Sequence, residues 1–122
     1  MKPLEIAFVC YAVTNLKRSR EFYEKVLNLK PGTVWEGENM GFIEYEMGPH
    51  TLAIGMGAEQ FKPGTQGATA ALEVADFDEA IASLKRANVK FVMEKYETPV
   101  CFMACIQDPD RNQIMIHKRK QR

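Results

Sequence analysis

The apolar segments of this chain come in one order and then in the same order again. The periodicity reads strand, helix, strand, strand, strand in each half. Val74 stands about 61 residues after Val13, and Ile116 about 62 after Ile54. Identity between the halves is slight, so the repeat rests on pattern and spacing. A βαβββ unit of about sixty residues buries little surface by itself. Two such units together predict an α+β fold of tandem βαβββ modules, forming a curved mixed sheet with a cleft and helices behind. The whole chain is read as one domain, with module 1 over about 1–57, a linker over about 58–66 and module 2 over about 67–122.

The elements follow from local signals. Ile6 to Val13 is a β-branched apolar run and reads as a strand. Thr14 and Asn15 offer caps for a helix, on which Ser19, Phe22, Tyr23, Val26 and Leu27 share one face. Asn28 suits the left-handed C-terminal position. Thr33 to Glu38, Met40 to Met47 and Thr51 to Met56 are extended, with a turn at Gly48 and Pro49. In the second half, Ala68 to Val74 is a strand, and Asp76 to Glu79 resembles a capping box. Phe77, Ala80, Ile81 and Leu84 give the second helix its apolar face. Val89 to Glu94, Val100 to Gln107 and Gln113 to Lys118 complete the strands, with Asp108, Pro109 and Asp110 turning between the last two.

Charge and cysteine usage then exclude function classes. The 16 basic side chains are matched by 16 acidic ones. That balance argues against a protein whose main work is gripping phosphate backbones. The basic tail Lys118, Arg119, Lys120, Gln121, Arg122 has no interleaved aromatics and reads as a solvated end. Cys10, Cys101 and Cys105 lie inside apolar runs without Cys-x-x-Cys spacing, as expected of buried thiols in a reducing compartment. There is no signal-peptide pattern and no run of about 20 apolar residues. A cytoplasmic protein with neither nucleic-acid nor membrane partners is the expectation.

Strand alternation places Phe8, Cys10, Thr69, Ala71, Glu73, Met103, Cys105, Met115 and His117 on the cleft face. Phe102, Ala104, Ile106, Ile114 and Ile116 fall on the helix face. Phe8, Met103 and Met115 would line an apolar, adaptable pocket, the competing reading being that they pack the floor of the sheet. Glu73 and His117 share this face and are the candidate catalytic pair, as base and orienter, or contacts for a polar ligand group. His117 could equally be solvated near the C-terminus, and His50 after the turn reads as a surface residue. Cys10 and Cys105 could face each other across the cleft, but His117 is the one plausible base for them and nothing in the sequence shows contact, so they read as structural.

Two stretches carry a family resemblance. Val13 to Leu29 resembles the first helix signature of the vicinal oxygen chelate superfamily, the glyoxalase, bleomycin-resistance and extradiol dioxygenase group. Ser19, Phe22, Tyr23, Leu27 and Leu29 match, with Asn28 at the usual Gly. Asp108 to Ile114 is similar to the family's Asp-Pro-Asp-Gly-Asn-x-Ile, with Arg111 replacing the Gly. The resemblance implies a cleft site, a homodimer and, in metal-dependent members, four His, Glu or Gln ligands on the first and last strands of the modules. Those positions register on Phe8, Ala53, Thr69 and Met115. One residue to either side gives Ala7, Val9, Leu52, Ile54, Ala68, Ala70, Ile114 and Ile116, none of them a good ligand. Thr69 alone offers an oxygen.

No metal and no cofactor are therefore expected. The resemblance also places Trp35 near the cleft rim, where Trp35 and Tyr45 could stack on a planar ligand. The function expected is that of a superfamily member binding a small apolar or mixed ligand in the sheet cleft. The alternatives are a lyase, isomerase or dioxygenase-type enzyme, metal-free or with a displaced ligand set, and a non-catalytic interaction domain. Whether the chain is an enzyme stays open at this point.

Overall fold

The computed structural model describes residues 1–2, 4–57, 62–64, 67–99 and 101–120. Most of the expected linker, Val100 and the last two residues of the basic tail lie outside the described residues. The chain divides into two compact units, Met1–Pro63 and Gly64–Arg122.

The first unit contains β1 (Val9–Ala12), α1 (Leu16–Glu21), a π-helical turn (Phe22–Val26), β2 (Pro31–Glu36), β3 (Gly41–Met47) and β4 (His50–Met56). The strand order is β1, β4, β3, β2, with β1 parallel to β4 and the other pairs antiparallel. The second unit contains β5 (Ala70–Glu73), α2 (Phe77–Arg86), β6 (Phe91–Glu97), β7 (Cys101–Gln107) and β8 (Gln113–Arg119). Its order is β5, β8, β7, β6, with β5 parallel to β8. Each unit is thus a mixed four-stranded sheet in which the first and last strands lie side by side. The equivalence extends to single bonds. Val13 N–H donates to the Gly55 carbonyl, and Val74 N–H donates to the His117 carbonyl, both at 2.9 Å.

Local chemistry explains the helix ends. The Asn15 side chain accepts from Arg18 N–H, and the Asp76 side chain accepts from Glu79 N–H. Asn28 and Asn88 follow the two helices at φ 64° and 58°, a region Asn tolerates better than most residues. The first helix departs from a plain α-helix. It widens at Phe22–Val26, where Leu27 N–H reaches back to the Phe22 carbonyl. The consecutive residues Phe22 and Tyr23 are both buried there.

Several strand boundaries differ from the sequence reading by one to three residues, and three of the strand starts have a local cause. β1 begins at Val9 rather than Ile6, because Val9 pairs with Leu52 and Ile6 would face Pro49, which has no N–H to offer. β5 begins at Ala70. Two residues earlier, Ala68 would lie opposite Asn112, whose N–H and side-chain amide are both bonded to Asp108. β6 starts two residues late because Val89 N–H still closes the helix end on Leu84.

The cores lie between each helix and its sheet. In the first unit Tyr11, Ile43, Tyr45, Leu52 and Ile54 are buried beneath the helix. Tyr45 is 0% exposed, stacks on Tyr23 at 5.9 Å and donates its hydroxyl to Glu24 Oε2 at 2.9 Å. Burial first, and then the Glu24 bond, push its phenol well above the ordinary value. Arg20 holds Glu24 from the other side at 2.6 Å. In the second unit Ala104, Ile106, Ile114 and Ile116 are buried, and Phe77 of α2 meets Phe102 at 5.9 Å. The expected helix face of this sheet is the observed one. A Cβ on Gly41 would meet Leu16 Cδ2 at 2.4 Å and the Trp35 carbonyl oxygen at 3.2 Å, so a side chain there would displace Leu16. Among the described residues no helix is long and apolar enough to cross a membrane.

Candidate functional site

Strand register assigns side chains to the face of each sheet away from its helix. In the second sheet, Glu73 lies opposite His117, His117 opposite Met103, and Met103 opposite Tyr96. One step along, Ala71 lies opposite Met115, Met115 opposite Cys105, and Cys105 opposite Met93. Directly paired residues project to the same side of a sheet. The helix-free face is therefore two rows of four: a mixed row of Glu73, His117, Met103 and Tyr96 beside an apolar row of Ala71, Met115, Cys105 and Met93.

The mixed row contains a built polar contact. His117 Nδ1 lies 2.6 Å from Glu73 Oε1, while Glu73 Oε2 accepts the Arg119 backbone N–H at 2.7 Å. These two bonds, that to His117 being the larger effect, hold the Glu73 carboxyl below its ordinary range. An ionised carboxylate only accepts hydrogen bonds, so the proton in this contact sits on Nδ1. In the neutral form of the ring the lone pair is then on Nε2, which bonds to none of the described residues.

The first sheet is built alike and furnished differently. Its helix-free face has Ala12, Gly55, Phe42 and Trp35 across one row. Cys10, Ala53 and Glu44 share the next. Phe8 precedes β1 and sets its ring edge-on to Phe42 at 5.5 Å, so it shares this face while remaining 44% exposed. Trp35 is 52% exposed. Cys10 is half-buried, and burial pushes its thiol up to about 11. Burial raises Cys105 as well. Neither thiol has the depressed pKa of a nucleophile.

One sequence expectation is corrected by this geometry, and another loses its premise. Tyr45 cannot stack on a ligand, because β3 turns it under the helix, where Tyr23 and Glu24 use both its ring and its hydroxyl. Thr69 is exposed and lies outside β5, so strand alternation does not fix its direction. Sequence reading also missed Tyr96, Met93 and Phe42. The repeat held the missing signal, since Tyr96 stands about 61 residues after Trp35 and occupies the corresponding edge position.

A family model described as the Glyoxalase/Bleomycin resistance protein/Dioxygenase superfamily matches residues 5–116. The chain belongs to that superfamily. No curated protein sequence matches it. Among solved structures, TnmS3, an antibiotic binding protein from Streptomyces sp. CB03234, is similar with a TM-score of 0.82 and 19% identity, over 98% of this chain and 99% of that one. A lactoylglutathione lyase from Agrobacterium tumefaciens is similar with a TM-score of 0.75 and 14% identity, over 96% and 95% of the two chains. A glyoxylase/bleomycin resistance protein/dioxygenase domain from Frankia sp. EAN1pec has a TM-score of 0.76 at 18% identity, over 98% and 95%. At these identities the likeness is one of fold, and fold alone does not carry chemistry.

The positions that would hold the ion of the superfamily's metal-dependent members carry Phe8, Ala53, Thr69 and Met115. Ala53 pairs with Cys10 and is fully buried, and Met115 pairs with Ala71. Phe8 presents a ring and Thr69 an exposed hydroxyl. This set has no imidazole or carboxylate, and so does not fit a divalent ion. Among the described residues no group of three or more His, Cys, Asp or Glu is placed to hold one.

Proposed function

We propose that this superfamily member binds a small apolar or mixed organic ligand on the helix-free face of its second sheet, without a metal of the family type. The observation that carries this reading is the pair of rows. Met115, Met103, Met93 and Cys105 offer soft, shape-adapting contacts, and the fixed pair of His117 and Glu73 supplies a polar end. The likeness to an antibiotic binding protein supports it, because that fold serves binding there. A cytoplasmic homodimer is part of the same proposal.

The test is titration with the apolar fluorescent probe anilinonaphthalene sulfonate. Met115→Glu and Met103→Glu should each abolish probe binding while leaving far-UV circular dichroism unchanged. Equal affinity in wild type and both variants overturns the assignment of the face. Zinc, nickel, manganese or iron should not remain after desalting, and one retained equivalent overturns the metal-free part. Sedimentation equilibrium should return twice the chain mass.

A further inference from the structure

We infer that the same face is a metal-independent general-base site, with His117 Nε2 as the base, acting on planar carbon acids. This rests on the binding reading above, because the substrate must lie on the methionine rows.

The orientation of the imidazole is fixed twice over. Glu73 Oε1 takes the Nδ1 proton at 2.6 Å, and the Arg119 backbone N–H at 2.7 Å prevents Glu73 from turning away. Because β5 and β8 pair in parallel with Glu73 opposite His117, the contact is set by the sheet rather than by a loop. Its consequence is a ring whose basic nitrogen is the one bonded to none of the described residues. Glu73 also stabilises the imidazolium formed when Nε2 takes a proton. Met103 lies opposite His117, Met115 two residues before it on β8, and the cationic Arg119 two residues beyond it. His117 is 21% exposed through its side chain, so it is reachable yet partly shielded from water.

This arrangement limits the substrate class. What these residues supply is a base, which suits a C–H already acidified by the substrate itself. A flat, delocalised molecule suits both that need and a face made of methionines and the Tyr96 ring. Nitrobenzisoxazole is such a probe. His117 Nε2 takes the ring C–H proton, and the C–H electron pair becomes part of the new C≡N bond. The N–O bond breaks to give a cyanonitrophenolate, and the imidazolium then returns its proton to water.

The experiment follows phenolate release under saturating and limiting probe. Wild type should show saturable turnover above buffer. His117→Ala and the bulkier His117→Gln should each lower kcat by about 100-fold or more, with KM unchanged. His50→Ala, at the hairpin between β3 and β4, should change neither. Glu73→Gln should lower kcat less, and nitrogen NMR should show the neutral His117 ring moving from the Nδ1–H to the Nε2–H tautomer. A purely structural Glu73 would leave the tautomer where it is. Met115→Glu should raise KM. Turnover that survives both His117 variants, or is lost equally in His50→Ala, overturns the base while leaving the binding reading standing. KM unmoved by Met115→Glu overturns the binding reading instead.

Discussion

The two sheets share a strand order, a helix position and a capping scheme, and they differ in what their helix-free faces carry. Across equivalent rows the first has Ala12, Gly55, Phe42 and Trp35, and the second has Glu73, His117, Met103 and Tyr96. The outer positions agree in kind: an exposed aromatic on the edge strand and a large apolar side chain beside it. The inner positions do not. Ala12 and Gly55 stand where Glu73 and His117 make a fixed polar contact. A repeated backbone therefore does not repeat the chemistry. Strand pairing decides which four positions are neighbours, and the side chains alone decide whether those neighbours can react.

The comparison can be broken first at the cores, where the largest effects are expected. Ile54 and Ile116 hold equivalent buried positions at 0% and 3% exposure. Ile54→Ala and Ile116→Ala should each cost about 2–5 kcal/mol in urea unfolding. A near-neutral result at either one would show that the two cores are not equivalent. Smaller effects are expected at the helix starts. Asn15→Ala and Asp76→Ala should each cost about 1 kcal/mol. Asp76 should cost the more, because its carboxylate also meets the positive end of a longer helix. Equal thermal shifts would remove that distinction.

The smallest effect should separate the faces by pH. Glu73 has a lowered pKa in the folded chain, so its contacts stabilise the fold at neutral pH. That contribution fades as pH falls through the ordinary value of 4.5 and on past the lowered one. Glu73 is 42% exposed, so the gain is screened, about 0.5 kcal/mol or less. Glu73→Gln should flatten this part of the acid limb in thermal melts. Glu44, on the first sheet's face, bonds through its side chain to none of the described residues, and Glu44→Gln should leave the limb as it is. Parallel acid limbs in wild type and Glu73→Gln would sink the claim.

Much of the fold was legible because it rests on period and spacing. Alternation sorted Ala104, Ile106, Ile114 and Ile116 from Met103, Cys105, Met115 and His117, and the strand register keeps that division. Asn28 was placed in the left-handed region, where it stands at φ 64°. Tyr45 was misread because alternation gives two faces without saying which one a helix will cover. Met93 and Tyr96 were missed because register shifts in β6 break the alternation through which they could have been found. The turn in the helix at Phe22–Val26 has no signature in a period of 3.6 residues.

By itself the sequence determined that there are two βαβββ units and which residues lie on each side of β7 and β8, because both follow from local periodicity. It also determined that the superfamily's ligand positions hold Phe8, Ala53, Thr69 and Met115, which is a matter of residue type alone. Only the tertiary structure decided that Glu73 and His117, separated by 44 residues, meet at 2.6 Å with Arg119 closing the contact. The reason is geometric. A parallel pairing of the first and last strands of a unit joins residues that no local pattern relates, and its register fixes which atoms touch.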